Sequence, residues 1–408
     1  MRILIVTAGS RGDVAPFTGL GQRLQQAGHQ VAVAAHSLFA GLVGECGLEY
    51  RPVPGDPVEL ARARIAAPCP EAAGSVFAAF LDELGDGVIA AATAGTDMLL
   101  TALGPAPVSR VVAEGLGIPS IGVYLAPAIP TREFPLPGWP ATGDLGPVGN
   151  LAAGRKLLGR ANSLYAELLP RLRAQLGLPA ATIPAPTDPG PPDGWPICHG
   201  FSPAVLPRPV DWPAQVQVTG YWWPARPPGW QPPGQLVDFL QAGAPPVFIG
   251  FGSMALAQHE RLSGIVAAAI KRAGMRAVVQ SGWAGLTPSG DDILLVGDLP
   301  HDWLFPRMAA VVHHAGAGTT GAGLRAGVPA VPVPVVADQP FWAARLHRLG
   351  VAPHPIPLHE LTADALADAL RSCADEPVYH QRAAELADRI QADDGAAAVL
   401  ALITRGQP

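Results

Sequence analysis

Apolar positions fall into short continuous runs separated by stretches of helical spacing. Residues 3–7 form one such run, Pro16 suits a first helical turn, Gly28 fits a C-terminal helix cap, and residues 31–35 are apolar again. A short run that is apolar throughout suits a strand buried on both faces, so this stretch predicts a strand, a helix and a second strand paired parallel to the first. The same reading places strands in residues 98–102, 108–115 and 120–124 and predicts a doubly wound parallel sheet. Residues 55–75 and the proline-rich residues 126–148 show little periodicity and are expected as long loops beside a cleft. Residues 151–178 regain helical spacing, with Leu157, Leu158, Ala161, Leu164, Tyr165 and Leu168 on one stripe.

The pattern restarts in the second half. Runs at 247–251, 276–280, 293–296 and 310–313 predict strands, 258–273 a helix, and 362–373, 377–392 and 395–405 closing helices. Between the halves the chain is dense in proline and carries Trp212, Trp222, Trp223 and Trp230. The organisation expected is a first Rossmann-like domain at 1–207, a linker at 208–234, a second Rossmann-like domain at 235–385, and C-terminal helices at 386–408 that pack back on the first domain. A length of 408 residues, beyond the growth of one core, agrees with two domains. Trp222 and Trp223 either line a cleft or pack across the junction.

Composition changes this picture little. Apolar residues are 49% and charged residues 15%, as in a compact chain, and a net charge of −6 without a Lys/Arg run argues against nucleic acid as a partner. No uninterrupted apolar run is long enough to span a bilayer, and the N-terminal run reads as a strand rather than a leader. The four cysteines, Cys46, Cys69, Cys198 and Cys373, lack metal-ligand spacing and are expected reduced, which points to a cytoplasmic protein without a metal.

Three turns carry chemistry. In residues 310–323 a β-branched strand runs into His313-His314-Ala315-Gly316-Ala317-Gly318-Thr319-Thr320 and then a helix. A helix start built of small residues lets a phosphate approach backbone N–H groups at the positive end of the dipole, and His314 and the Thr319 or Thr320 hydroxyl can add hydrogen bonds. Taken alone the turn reads first as a structural strand-to-helix junction, since a glycine-rich turn by itself is weak evidence. Gly250-Phe251-Gly252-Ser253 repeats the strand-then-turn logic, and Trp283 follows the next strand, where it either stacks near a base or packs. In the first loop, Gly9-Ser10-Arg11-Gly12-Asp13, the Asp13 carboxylate is either a general base at the sheet's C-terminal edge or a helix N-cap that the dipole keeps weakly basic.

Residues 297–350, with the His314 turn and Ala337-Asp338-Gln339, resemble the donor-binding box of family 1 glycosyltransferases, in the wording of the bacterial antibiotic and sterol branch. The loop ending at Asp13 resembles the same branch. The resemblance implies a GT-B fold, two Rossmann-like domains facing each other across a cleft, the N-terminal one binding the acceptor and the C-terminal one the nucleotide sugar. It implies an inverting transferase moving sugar from a UDP- or dTDP-sugar to a hydroxyl of an apolar small molecule such as a polyketide, sterol or peptide natural product. Matched residue by residue, Asp13 is the base; Ser253, His314, Gly316, Gly318 and Thr319 hold the diphosphate; and Asp338 and Gln339 bind sugar hydroxyls. No cofactor is implied, the sugar nucleotide being a co-substrate. Ala315 replaces a usual glycine, which is expected to be mild, and Val336 stands where plant-type members often have tryptophan, so glucose preference does not carry over. Pro332 and Pro334 are unusual for a central strand.

The acceptor is expected against Phe77, Phe80, Tyr124, Phe134 and Trp139 of the N-terminal loops, although each of these also suits core packing. Two other readings stay open. A nicotinamide oxidoreductase would need Gly-x-Gly-x-x-Gly after the first strand and an acid ending the second, where Ala34-Ala35-His36 stands. A non-catalytic sugar-nucleotide binder or epimerase differs only at Asp13.

Overall fold

The computed structural model describes residues 1–66, 69–139, 143–180, 194–252, 258–283 and 285–405. The chain divides into two compact units, Met1–Pro228 with Asp394–Pro408, and Gly229–Asp393. The first contains β1 (Arg2–Val6), α1 (Arg11–Gln26), β2 (Gln30–His36), α2 (Ala40–Glu45), β3 (Glu49–Val53), α3 (Pro57–Ala66), α4 (Pro70–Thr93), β4 (Met98–Thr101), α5 (Ala106–Leu116), β5 (Ser120–Tyr124), α6 (Gly146–Ser163), α7 (Leu168–Gln175), β6 (Ile197–His199) and β7 (Val216–Val218). Its sheet runs β3-β2-β1-β4-β5-β6-β7, parallel throughout, with Val6 opposite both Ala34 and Thr101. Leu4, Val6, Ala32, Leu99, Val112 and Leu172 belong to one buried core, as continuous apolar strands covered by helices require.

The second unit contains α8 (Gly234–Gln241), β8 (Val247–Gly250), α9 (His259–Ala273), β9 (Ala277–Gln280), β10 (Ile293–Val296), α10 (His301–Leu304), β11 (Val311–His313), α11 (Ala317–Arg325), β12 (Ala330–Pro332), α12 (Gln339–Arg348), α13 (Ala363–Asp375) and α14 (Pro377–Gln391). Its parallel sheet runs β10-β9-β8-β11-β12 around Ile249, Phe251, Val279, Val312 and Val331. Both sheets are doubly wound, and strand order reverses between β1 and β4 in one and between β8 and β11 in the other. In such sheets ligands bind outside the carboxyl ends of the strands at the reversal.

Several expectations are corrected. Residues 108–115 lie in α5, where Val108, Val111 and Val112 form a buried helical face. The loop expected at 55–75 is mostly α3 and the start of α4, because alanine-rich helices carry propensity with little hydrophobic contrast. The stripe expected over 151–178 is broken after Ser163, and Leu164 is exposed whereas Tyr165 and Leu168 are buried. The linker expected at 208–234 is largely folded: β7 closes the first sheet, Trp212 donates its indole N–H to the Ile129 carbonyl (3.1 Å), and Trp222 donates to that of Gly395 (3.1 Å). The chain passes between units at Pro228 and again at Asp393. Of residues 386–408, α14 stays in the second unit against α11, and α15 (Gly395–Arg405) packs on α1 in the first. Pro332 ends the edge strand β12, where its missing N–H costs no ladder bond.

Candidate functional site

In the second unit the candidate turn grows from β11. Val311 and Val312 are fully buried, and the chain then reverses through Ala315 (φ +60°) to Gly316, the N-cap of α11. Gly316 has no side chain with which to cap, so the first N–H groups of α11 remain for an outside acceptor. An added Cβ at Gly318, in the first turn, would meet nothing within 4 Å. Thr319 is half-buried, whereas Thr320 is turned inward with its hydroxyl unpartnered among the described residues.

The ring of His314 is held between two glycines. A Cβ on Gly316 would lie 2.5 Å from its Nε2, and one on Gly252 would lie 2.8 Å from its Cε1. Gly252 also has φ +58°, a left-handed backbone that favours glycine. Burial holds the His314 imidazole down at about 4, so near neutral pH it is uncharged and offers one N–H. The strand reversal thus brings the β8 turn and the His314 turn together. Trp283 joins them through its backbone, which donates to the Gly252 carbonyl at 3.2 Å. Ser253 lies outside the described residues.

The loop after β12 presents the next pair. Asp338 stands at the N-cap of α12, yet its side chain makes no cap bond and Oδ2 instead accepts from the Trp342 indole at 2.9 Å. Gln339 is buried, and its Oε1 accepts the N–H groups of Val335 (2.9 Å) and Val336 (3.1 Å). These bonds fix a loop containing Ala337 (φ +59°) and leave the Gln339 amide N–H groups, rather than its oxygen, as the polar offer. Val336 is 51% exposed at the loop tip.

In the first unit α1 begins at Arg11 with Ser10 as N-cap, so Asp13 is the third helical residue and not the N-cap expected in the structural reading. Its Oδ2 accepts the Ser10 N–H (2.7 Å) and hydroxyl (3.0 Å), the return half of a capping box. Gly9 (φ +129°) is required here, since a Cβ would collide with that carboxylate. Oδ1 accepts no hydrogen bond among the described residues. Burial raises the Asp13 pKa and outweighs the two Ser10 bonds, which lower it.

The expected acceptor residues divide. Phe77 and Phe80 stack at 6.1 Å, and His36 lies 5.6 Å from Phe80. Tyr124 and Phe134 are core residues, Tyr124 packing against Trp195 and His199 (5.8 Å), so these two do not line an open surface. Trp139 is half-buried.

Two features were missed. Ser10-x-x-Asp13 is a capping-box pattern legible in the sequence. His313, overshadowed by His314, lies at the end of a strand apolar throughout, which already implies burial. Among the described residues no group of three His, Cys, Asp or Glu is placed to hold a metal, and no helix is long and apolar enough to cross a membrane.

Residues 3–135 match the Glycosyltransferase family 28 N-terminal domain, and residues 277–403 match the Erythromycin biosynthesis protein CIII-like C-terminal domain. O-mycaminosyltylonolide 6-deoxyallosyltransferase of Streptomyces fradiae is 37% identical over 97% of this chain and 95% of its own length. Sterol 3-beta-glucosyltransferase UGT80A2 of Arabidopsis thaliana is 35% identical over 97% of this chain, which spans only 64% of that relative. Among solved structures, the glycosyltransferase of kitacinnamycin aligns with a TM-score of 0.73 at 21% identity, covering 100% of this chain and 99% of the other. SsfS6 of Streptomyces sp. SF2575, complexed with thymidine diphosphate, aligns at 0.66 and 23% identity, covering all of both chains. With two doubly wound units and these relatives, the chain belongs to the GT-B glycosyltransferases of the sterol and antibiotic type.

Proposed function

We propose that this enzyme transfers a sugar with inversion from a dTDP- or UDP-sugar to a hydroxyl of an apolar small molecule. The observation that carries the reading is the start of α11, a helix N-terminus without a side-chain cap beside a neutral His314 clamped between Gly252 and Gly316. These donors are aimed before any ligand arrives, and in the reaction they meet charge that grows on the departing diphosphate. On this reading no metal is required, and Ser253 and Thr319 add hydroxyls while Asp338 and the Gln339 amide hold the sugar. Oδ1 of Asp13 takes the proton of the acceptor hydroxyl as that oxygen bonds to the anomeric carbon. The bond from that carbon to the diphosphate breaks, and the leaving group carries the electron pair away. Trp283 is assigned to the nucleobase, and Phe77 and Phe80 to the acceptor.

The S. fradiae relative named for deoxyallosyl transfer and the thymidine diphosphate held by SsfS6 support a nucleotide-sugar donor. Thermal-shift titration with UDP, dTDP and GDP and their sugars, followed by mass spectrometry with polyketide, steroid and peptide acceptors, tests this. Stabilisation by a uridine or thymidine diphosphate and a product heavier by one glycosyl unit are expected. Absence of stabilisation by every nucleoside diphosphate would sink the reading.

A further inference from the structure

His313, beside the proposed phosphate ligand, has no role in the mechanism above. It ends β11 with its ring fully buried, and its Nδ1 accepts the backbone N–H of Ala315 at 3.0 Å. A ring nitrogen that accepts carries no proton, so the proton of the neutral ring sits on Nε2, which is buried and unpartnered among the described residues. Burial, reinforced by the neighbouring His314 and His301, holds this imidazole down at about 3, so the Nδ1 lone pair stays available near neutrality. The recipient is Ala315, one of two non-glycine residues with positive φ among those described. That conformation disfavours a residue with a Cβ and persists only where its surroundings impose it. The spacing, an acceptor two residues before the N–H it takes, is the one by which Asn and Asp side chains stabilise turns. Gly316, the next residue, opens α11.

We propose that His313 is a positioning residue for the donor diphosphate: its Nδ1 holds Ala315 left-handed and thereby aims the first N–H groups of α11 and the ring of His314. The proposal rests on reading the α11 start as the diphosphate site.

The test compares H313N, whose Oδ1 replaces Nδ1 as acceptor, with H313Q, which moves the acceptor towards the place of Nε2. Calorimetry on the full chain measures affinity for dTDP or UDP, whichever the wild type binds more tightly, and for the corresponding nucleoside. H313N is expected to stay within about threefold of wild type, and H313Q to lose about tenfold for the diphosphate while its nucleoside affinity is unchanged. Adding A315G to H313Q is expected to recover most of the loss, because glycine adopts the left-handed backbone unaided. Equal binding by H313Q and wild type, equal losses in both variants, or no recovery with A315G overturns the proposal. If H313Q does not fold, A315G in the H313N background decides: unaltered diphosphate affinity is expected, and a loss of tenfold overturns the coupling. A wild type that binds no nucleoside diphosphate overturns the site assignment instead.

Discussion

Replacing Gly316 by alanine probes the clamp on His314 with little disturbance elsewhere. The backbone at Gly316 (φ −64°, ψ 148°) suits any L-residue, so the substitution introduces no dihedral strain. The new Cβ falls 2.5 Å from His314 Nε2, and the ring cannot retreat towards Gly252, whose backbone bounds its other side. The ring must leave its well, at about 0.5–1.5 kcal/mol for an off-rotamer side chain. The lower unfolded-state entropy of alanine offsets about 0.4–1 kcal/mol of that, so net stability hardly moves. Binding is different, because a hydrogen bond to a charged phosphate is worth about 1.5–3 kcal/mol. At about 1.4 kcal/mol per tenfold, G316A should bind dTDP or UDP about 10- to 150-fold more weakly, with an unchanged urea midpoint. Calorimetry beside urea unfolding checks both quantities. A folded G316A that binds within about threefold of wild type would refute the reasoning that His314 is held for the diphosphate.

Further outcomes follow from the titratable groups whose pKa values desolvation shifts. D13N retains an oxygen for the Ser10 N–H but loses the base, so kcat should fall by about 10²–10⁴ with donor affinity preserved. Burial raises the pKa of Asp13, so the acid limb of wild-type kcat/KM should lie above the ordinary aspartate range. A raised carboxyl favours the fold only below that pKa, and D13N at pH 7 should therefore be as stable as wild type or more so. Retained turnover in D13N would remove Asp13 as the base. Burial lowers His199 and His313 to about 3 and His314 to about 4, below the ordinary 6.5. Their stabilising effect is complete above pH 6.5 and is lost as pH falls towards those values, so the urea midpoint should drop between pH 7 and 4.5. A flat midpoint across that interval would contradict the burial of neutral imidazoles.

Local signals were legible and tertiary ones were not. Val311-Val312 followed by a glycine turn announces a buried strand entering a helix, because burial on both faces and a tight reversal leave marks on consecutive residues. The alanine-rich α3 was hidden, since helix propensity without hydrophobic contrast has no visible period. β7 was hidden because three residues among prolines do not make a strand until β6 pairs with them. At the candidate site, the turn that carries His314 and Gly316 was readable. That Ala315 occupies a left-handed turn was not, and its replacement of a usual glycine is less mild than expected, since the cost depends on a φ the sequence does not display. Asp13 shows both limits, for its capping partner lies three residues away in plain sight, while the desolvation that raises its pKa is not written in the neighbouring residues.

The central claim concerns stereochemistry, and the anomeric configuration of the product tests it most directly. An α-linked dTDP- or UDP-sugar, incubated with the full chain and a hydroxylated apolar acceptor in the presence of EDTA, should give the β-glycoside by proton NMR. An α-glycoside, or turnover only after a divalent cation is restored, would contradict the account of direct displacement with Asp13 as base and the α11 start as the seat of the leaving diphosphate.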